Sequence, residues 1–244
     1  MVSDAPLEYL PLIGPLKRAL PRWLKVGAKE HLRRLSFRRY MALAVRSPGL
    51  LADAAFLARF RAAWGNVGYS AETPFLTEVL ARVRKGPRAS VLECGSGIST
   101  ILTGLALSPG TGNVWALEND VGWFQRVAHV IQKYQIRNVQ LIHARLQSYG
   151  DYSWYAPPLA RMPKFNLVIC DGPTETTAGG RYGVLSVMKA HLADDAVVLL
   201  DDAHTATGHG VLARWQDEGR ARVELREGAT RGFAIVTVQK SREH

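Results

Sequence analysis

Cysteine is scarce in this 244-residue chain: Cys94 and Cys170 stand alone, in neither a Cys-x-x-Cys pair nor a Cys/His cluster. That scarcity excludes a structural zinc site, and two thiols in apolar strand contexts read as buried and reduced. There is no run of about eighteen apolar residues and no secretory signal with a short apolar core and small-residue cleavage site. The expectation is a cytoplasmic protein, or one held peripherally at the inner face of a membrane. No internal repeat or low-complexity tract is present, which leaves one non-repetitive globular unit.

Acidic residues are few at the start of the chain. Residues 1–50 carry ten Lys/Arg against three acids, so most of the net charge of +10 sits there and the other 194 residues hold only +3. Between Leu16 and Val45 the runs Leu-Lys-Arg-Ala-Leu, Trp23-Leu-Lys-Val and His31-Leu-Arg-Arg-Leu mix aromatic, aliphatic and cationic residues at helical spacing, as interfacial helices do. An anionic membrane contacted through residues 16–46, nucleic acid or an acidic partner would each satisfy this pattern. So would amphipathic helices that cap the core and keep Lys/Arg in water.

Pro6, Pro11, Pro15 and Pro21 interrupt the first turns, so continuous helix is expected only after Pro21, over about 22–46, 49–63 and 73–85. From residue 89 short apolar strands alternate with amphipathic helices, the pattern of a parallel sheet covered on both faces. Strands are expected at about 89–95, 113–118, 138–143, 165–171 and 196–201, and helices at about 98–108, 121–134, 180–192 and 206–218. Ala221–Arg226 and Phe233–Gln239 flank a hairpin-like turn at Glu227–Gly232. The fold class is therefore α/β, a doubly wound, mostly parallel seven-stranded sheet. Residues 1–65 form a basic helical extension and residues 66–244 the main domain.

A third glycine is missing from the most informative stretch. Val91-Leu-Glu-Cys-Gly-Ser-Gly-Ile-Ser-Thr100 is an apolar strand running into a glycine turn, with Ser99 where the third glycine of a dinucleotide fingerprint would stand. Glu93, just before the turn, is a poor neighbour for a pyrophosphate and a good one for a cationic amino group. The next strand, Asn113-Val-Trp-Ala-Leu-Glu-Asn119, ends in Glu118, about two dozen residues after the glycines, where a carboxylate can accept both ribose hydroxyls.

Ligands in open α/β sheets sit at the carboxyl ends of the strands. Besides Glu93 and Glu118, those ends hold His143-Ala-Arg145, Asp171 and Asp201-Asp202. Three carboxylates on two neighbouring strand ends repel unless a cation lies among them, and such oxygen ligands suit Mg²⁺. Asp171, Asp201 and Asp202 are thus candidate metal ligands, alternatives being a helix cap at Asp201 or Asp202 and a loop contact at Asp171. A bound ion would lower the pKa of a substrate hydroxyl, with His204 or His209 taking the proton. Arg181, in the polar loop Thr174–Tyr182, is a candidate for gripping an anionic substrate group, and Trp154-Tyr155 for an aromatic wall.

These motifs in this order resemble the class I S-adenosylmethionine (SAM)-dependent methyltransferases over about residues 66–240, a Rossmann-like fold. Leu92–Thr100, Ala116–Phe124, Leu141–Leu146, Asp171-Gly-Pro and Leu200-Asp-Asp-Ala-His204 are similar to a bacterial set akin to the methyltransferase 24 group. The resemblance implies SAM contacts from Glu93, Gly95, Gly97 and Thr100, ribose contacts from Glu118 and adenine-side contacts from Ala144 and Arg145. It also implies a comparison with catechol-type enzymes, in which an Asp after the fourth strand and an acid–Asn pair after the fifth bind Mg²⁺; Asp171 is in addition a candidate catalytic residue. Two departures stand out: Asp202 replaces the usual Asn, and Gly172-Pro-Thr-Glu175 lacks the catechol-type lysine. The Asn/Asp-Pro-Pro-aromatic motif of amino-directed enzymes is absent, which favours a hydroxyl on a small molecule, sugar or lipid-linked intermediate. An RNA methyltransferase, a silent methyltransferase fold docking through its basic helices, and self-association stay open.

Overall fold

The computed structural model describes residues 22–239 apart from 67, 86–88, 108, 109 and 111. The four early prolines and residues 16–21 of the basic stretch lie outside the described residues. The main sheet is built from β1 (Ala89–Cys94), β2 (Gly112–Glu118), β3 (Val139–His143), β6 (Phe165–Cys170), β7 (Leu192–Asp201), β8 (Ala221–Arg226) and β9 (Phe233–Val238). Its order is β3-β2-β1-β6-β7-β9-β8, with β9 antiparallel to both β7 and β8. The chain winds outward from β1 to β3 and returns through β6 on the other side of β1. This reversal opens a crevice at the carboxyl ends of β1 and β6, the usual ligand position in such sheets.

Side chains alternate between the two faces of these strands. Val91, Ile169, Leu199 and Ile235 enter one buried cluster, and Leu92, Val168, Leu200 and Val236 the other. The first face is covered by α1 (Arg22–Arg46), α2 (Ala54–Trp64), α3 (Thr73–Lys85), α4 (Ile98–Ala106) and α5 (Val121–Lys133), which contribute Met41, Phe60, Val79, Ile101 and Val127. The second is covered by α6 (Gly183–Val187), α7 (Ala206–Asp217) and a small hairpin of β4 (Leu146–Ser148) and β5 (Ser153–Tyr155). Covering both faces explains why the central strands read as almost continuous apolar runs.

The basic α1 is tied into the core. Phe37 meets Phe60 and Trp64 with ring centroids 5.5 and 5.3 Å apart, Tyr40 stacks on Phe60 at 5.9 Å, and Met41 and Ala44 are fully buried. Phe60→Ala would cost about 3–5 kcal/mol through lost burial and the cavity left behind. Helix starts are set locally: Asp53 accepts from the Ala55 and Phe56 amides, Asp120 from Trp123, and Thr205 Oγ1 from Gly208. Thr205 thus caps α7, the role considered for Asp201 or Asp202.

Four segments depart from the expected elements. The helix expected over 49–63 splits at Asp53, whose extended backbone ends a 3-10 turn at Pro48–Ala52 and caps α2. The helix expected over 180–192 shrinks to α6 plus a short 3-10 turn at Lys189–His191, because Gly179 and Gly180 both adopt left-handed backbone that ends regular helix. β7 starts at Leu192, through an irregularity where Asp195 has φ 58°. The segment around Trp154-Tyr155 forms β5, and both side chains are buried in the core.

Candidate active site

Three backbone hydrogen bonds carry the ladder past the strand ends. Gly95 N donates to Leu117 O at 3.0 Å, Asp171 N to Cys94 O at 2.9 Å and Ala144 N to Glu118 O at 2.8 Å. They gather the turns after β1, β2, β3 and β6 at one edge of the sheet. Gly95 has φ 87°, and a Cβ there would stand 2.9 Å from Gly172 N. A Cβ on Gly172 would meet the Tyr155 hydroxyl at 2.5 Å and Gly95 Cα at 2.8 Å. The crevice between β1 and β6 is therefore walled by bare backbone, with room only for glycine on both sides.

Glu93 is fully buried at the end of β1. Ser99 Oγ donates to its Oε1 at 2.5 Å, while Oε2 has no hydrogen-bond partner among the described residues. Burial pushes its pKa up to about 8, the Ser99 and Thr100 hydroxyls opposing the rise and Glu118 adding to it. A buried carboxyl with one unused oxygen is costly unless a donor or cation completes it. Glu118 supports the glycine turn directly: Ser96 N and Oγ donate to Oε2 at 3.0 and 2.9 Å, and Asp120 N to Oε1 at 2.9 Å. Its oxygens retain acceptor capacity for further donors. Gly97 N donates to Thr100 Oγ1 at 2.9 Å, and the Trp123 indole donates to Ser96 O. Ala144 is buried behind Glu118, and Arg145 is exposed at the rim.

These residues fit SAM: the unused Glu93 oxygen suits its ammonium, the glycine cradle allows close backbone approach, and Glu118 can share its oxygens with ribose hydroxyls. The sequence candidates from strands β1 to β3 are thus brought together. Cys94 and Cys170, opposite each other in the β1–β6 register, are free and buried.

Asp171, Asp201 and Asp202 also converge, each offering an oxygen within 4.8 Å of the others. The cation among them is a side chain. Arg181 is 8% exposed, and its Nη2 donates to Asp202 Oδ2 at 2.8 Å, Asp171 Oδ1 at 3.3 Å and Asp171 O at 3.0 Å. Its Nη1 donates to Asp201 O, and Arg231 Nε lies 2.9 Å from Asp202 Oδ1. Mg²⁺ at this place would have to displace the guanidinium and leave it buried without its acceptors, so the residues as arranged do not fit the ion. Arg181 consequently sits buried within the acid cluster, its donors engaged there and not free to grip an anionic substrate group as the sequence suggests. Burial and then Asp201 raise the Asp171 pKa, against the pull of Arg181. Burial and then Asp202 raise that of Asp201 to about 6.

His204 and His209 face each other with ring centroids 6.1 Å apart. His204 Nε2 is enclosed without a partner among the described residues, its ring packed against Gly232, whereas His209 is exposed. Glu72, which no sequence motif signals, accepts from Ala229 N at 2.6 Å, Thr230 N at 3.1 Å and the Thr230 hydroxyl. It fastens the β8–β9 turn to the segment entering α3.

No protein-family model and no curated relative matches the chain. Solved structures do. The O-methyltransferase from Bacillus cereus in complex with S-adenosylhomocysteine (SAH) superposes with a TM-score of 0.54 at 14% identity, covering 78% of this chain and 91% of that one. A methyltransferase from Geobacter sulfurreducens gives 0.53 at 14% identity, covering 79% and 89%. The O-methyltransferase TomG from Streptomyces achromogenes, involved in tomaymycin synthesis and bound to SAM, gives 0.51 at 19% identity, covering 83% and 98%. At these identities the shared property is the fold, that of the class I SAM-dependent methyltransferases.

Proposed function

We propose that this chain is a SAM-dependent methyltransferase acting on a hydroxyl of a small molecule, sugar or lipid-linked intermediate, beside the methyltransferase 24 group by the order of its motifs. The observation that carries the reading is Glu93, a fully buried carboxyl with one unpartnered oxygen, set beside a glycine cradle whose neighbouring strand end presents Glu118. Neither a plain strand–helix connection nor a pyrophosphate site calls for an unpaired buried acid there.

When bound, SAM supplies an electrophilic methyl group on a sulfonium sulfur. Glu93 would hold the ammonium and Glu118 the ribose, fixing the methyl against the edge where β6 and β7 end. Placing an acceptor oxygen in line with it is the main catalytic contribution asked of the protein. Asp171 retains 19% side-chain exposure at that edge. Its carboxylate faces the place where the acceptor hydroxyl would stand and is the proton acceptor in this reading, burial and then Asp201 raising its pKa and Arg181 opposing the rise. Arg181 keeps Asp171 in place and offsets the charge of the cluster. His209, exposed at the first turn of α7 with the His204 ring stacked beside it, is the second proton acceptor in this reading.

Calorimetric titration with SAH, with NADH as comparison ligand, tests the assignment. Micromolar SAH binding, weakened about 10- to 100-fold in Glu118→Ala as befits a lost charged hydrogen bond, is the expected result. NADH binding without SAH binding would overturn it.

A further inference from the structure

A second concave surface lies away from the sheet edge, between α1 and α5. It is a cleft of about 500 Å³ lined by Arg33, Arg34, Arg38, Arg126, His129 and Lys133, with Phe37, Trp64, Val130 and Tyr134 as its apolar floor and Glu30 as the one acid among the described residues. On α5 the lining positions 126, 129, 130 and 133 fall on a single helical face. Two of the cations, Arg33 and Arg126, are held in place by backbone carbonyls. Arg33 donates to both Glu30 oxygens at 2.7 and 2.6 Å, to Ala63 O at 3.0 Å and to Trp64 O. Arg126 donates to the same Trp64 O at 2.7 Å and lies over the Trp64 and Trp123 rings, 4.2 and 4.6 Å from their centroids. Burial lowers the Arg126 pKa and the nearby Arg33 lowers it further, so the two guanidiniums repel. Among the described residues, five cations against one carboxylate leave a strong positive excess that an anion would relieve.

The outer side of α1 continues this surface with apolar side chains. Leu32, Leu35 and Leu43 are 48%, 45% and 37% exposed, on the side of the helix opposite the buried Met41 and Ala44. Arg39 lies between them, and Arg34 and Arg38 join this stripe to the cleft. Aliphatic side chains bordered by arginines match an interface where headgroups meet acyl chains. Nucleic acid would instead call for exposed aromatic faces on which bases stack. Here the rings are already used: Phe37 packs on Phe60 and Trp64, and Trp64 on Trp123.

We propose that the α1–α5 cleft and the adjoining Leu32/Leu35/Leu43 stripe dock this protein on an anionic phospholipid bilayer, the cleft taking a lipid phosphate. The surface extends beyond the basic stretch of residues 16–46 by recruiting α5, and it stands whether or not the sheet edge transfers methyl groups.

Flotation of the full chain with vesicles of phosphatidylcholine alone, or mixed with phosphatidylglycerol, tests this. Binding is expected only with the anionic vesicles and falls about fivefold for each surface cation removed, in Arg38→Ala and Lys133→Ala and more steeply in the pair. Leu32→Ser/Leu35→Ser weakens binding without changing net charge. The matched control Arg222→Ala/Arg226→Ala, on the distant edge strand β8, leaves it intact. Circular dichroism and melting temperature confirm that each variant is folded. Equal binding by the cleft and edge-strand variants, or no binding to anionic vesicles, would overturn the proposal. So would a single-stranded RNA oligonucleotide that binds through Arg38 and Lys133 while vesicles do not. Inorganic phosphate that blocks Arg38-dependent effects in the absence of any vesicle binding would point to a soluble anion site and count against the membrane.

Discussion

Arg181 Nη2 lies 2.8 Å from Asp202 Oδ2, and the pair is almost wholly withdrawn from water. The same guanidinium reaches Asp171 and the Asp201 carbonyl, and Arg231 lies on the other Asp202 oxygen, so two arginines supply positive charge to the clustered acids. Arg181→Met should cost about 3–5 kcal/mol, because breaking a buried ion pair strands its partners. Part of that loss should return when Mg²⁺ is added to the variant, whereas the parent protein should show no Mg²⁺-dependent shift in melting temperature. Saturable Mg²⁺ binding by the parent in calorimetry would show that the ion and Arg181 coexist.

Glu93 gives a pH signature. Burial pushes its carboxyl up to about 8 in the folded protein, against 4.5 for an unperturbed glutamate. Between those values the folded chain keeps a proton that the unfolded chain releases, so this site's contribution to stability falls as pH rises from 4.5 through 8. Glu93→Gln removes that slope. Above pH 8 the variant should be more stable than its parent, on the order of a few kcal/mol. It should also lose at least about tenfold in SAH affinity, as expected when a charged hydrogen bond disappears. Denaturant melts at pH 5 and pH 8.5 separate the two effects, and a variant less stable than the parent at pH 8.5 would contradict the assignment.

Trp123 acts on the cofactor turn at one remove, through its indole and the Ser96 carbonyl. Trp123→Phe keeps the ring and removes the donor, so SAH affinity should drop about fivefold, the equivalent of one ordinary hydrogen bond near 1 kcal/mol. A variant with unchanged affinity would mean that the turn keeps its shape without the indole.

Glu72 holds the β8–β9 turn with one carboxylate. Burial pushes its pKa up, but the Thr230 hydroxyl and the Thr230 and Ala229 amides outweigh that and hold it below the usual value. Its stabilising contribution is therefore present above the ordinary glutamate range and is lost as pH falls through its lowered pKa. Glu72→Ala should accelerate hydrogen exchange at the Ala229 and Thr230 amides while leaving the β1–β2 amides protected. Uniform acceleration across the sheet would instead mark Glu72 as part of the global core.

Much of this was legible in the sequence because the signals are local. Val91–Cys94, Phe165–Cys170 and Ala196–Leu200 are apolar runs bounded by turn residues, and Glu93, Glu118 and Asp171 follow from being the last acids before those turns. What was not legible depends on distant contacts. The spacing of Arg181 says nothing of its burial, since only the fold carries that loop over Asp171 and Asp202. The pairing of α1 with α5 joins Arg33 to Arg126 across 93 positions, although the 126/129/133 spacing of basic residues on α5 was itself a visible sign. Glu72 reaches a turn 157 residues away and carries no motif.

The bare contact between Gly95 and Gly172 bears on how such a chain can change. A methyl group added to either glycine points into the same narrow gap, so the two substitutions compete for one space and their costs should not add. At Gly95 the left-handed backbone adds a penalty of its own, and at Gly172 the Tyr155 hydroxyl closes the way out. Viewed as a path through neighbouring sequences, the pair is a dead end in single steps: the floor of the crevice can vary only if β1, β6 and the Tyr155 strand shift together.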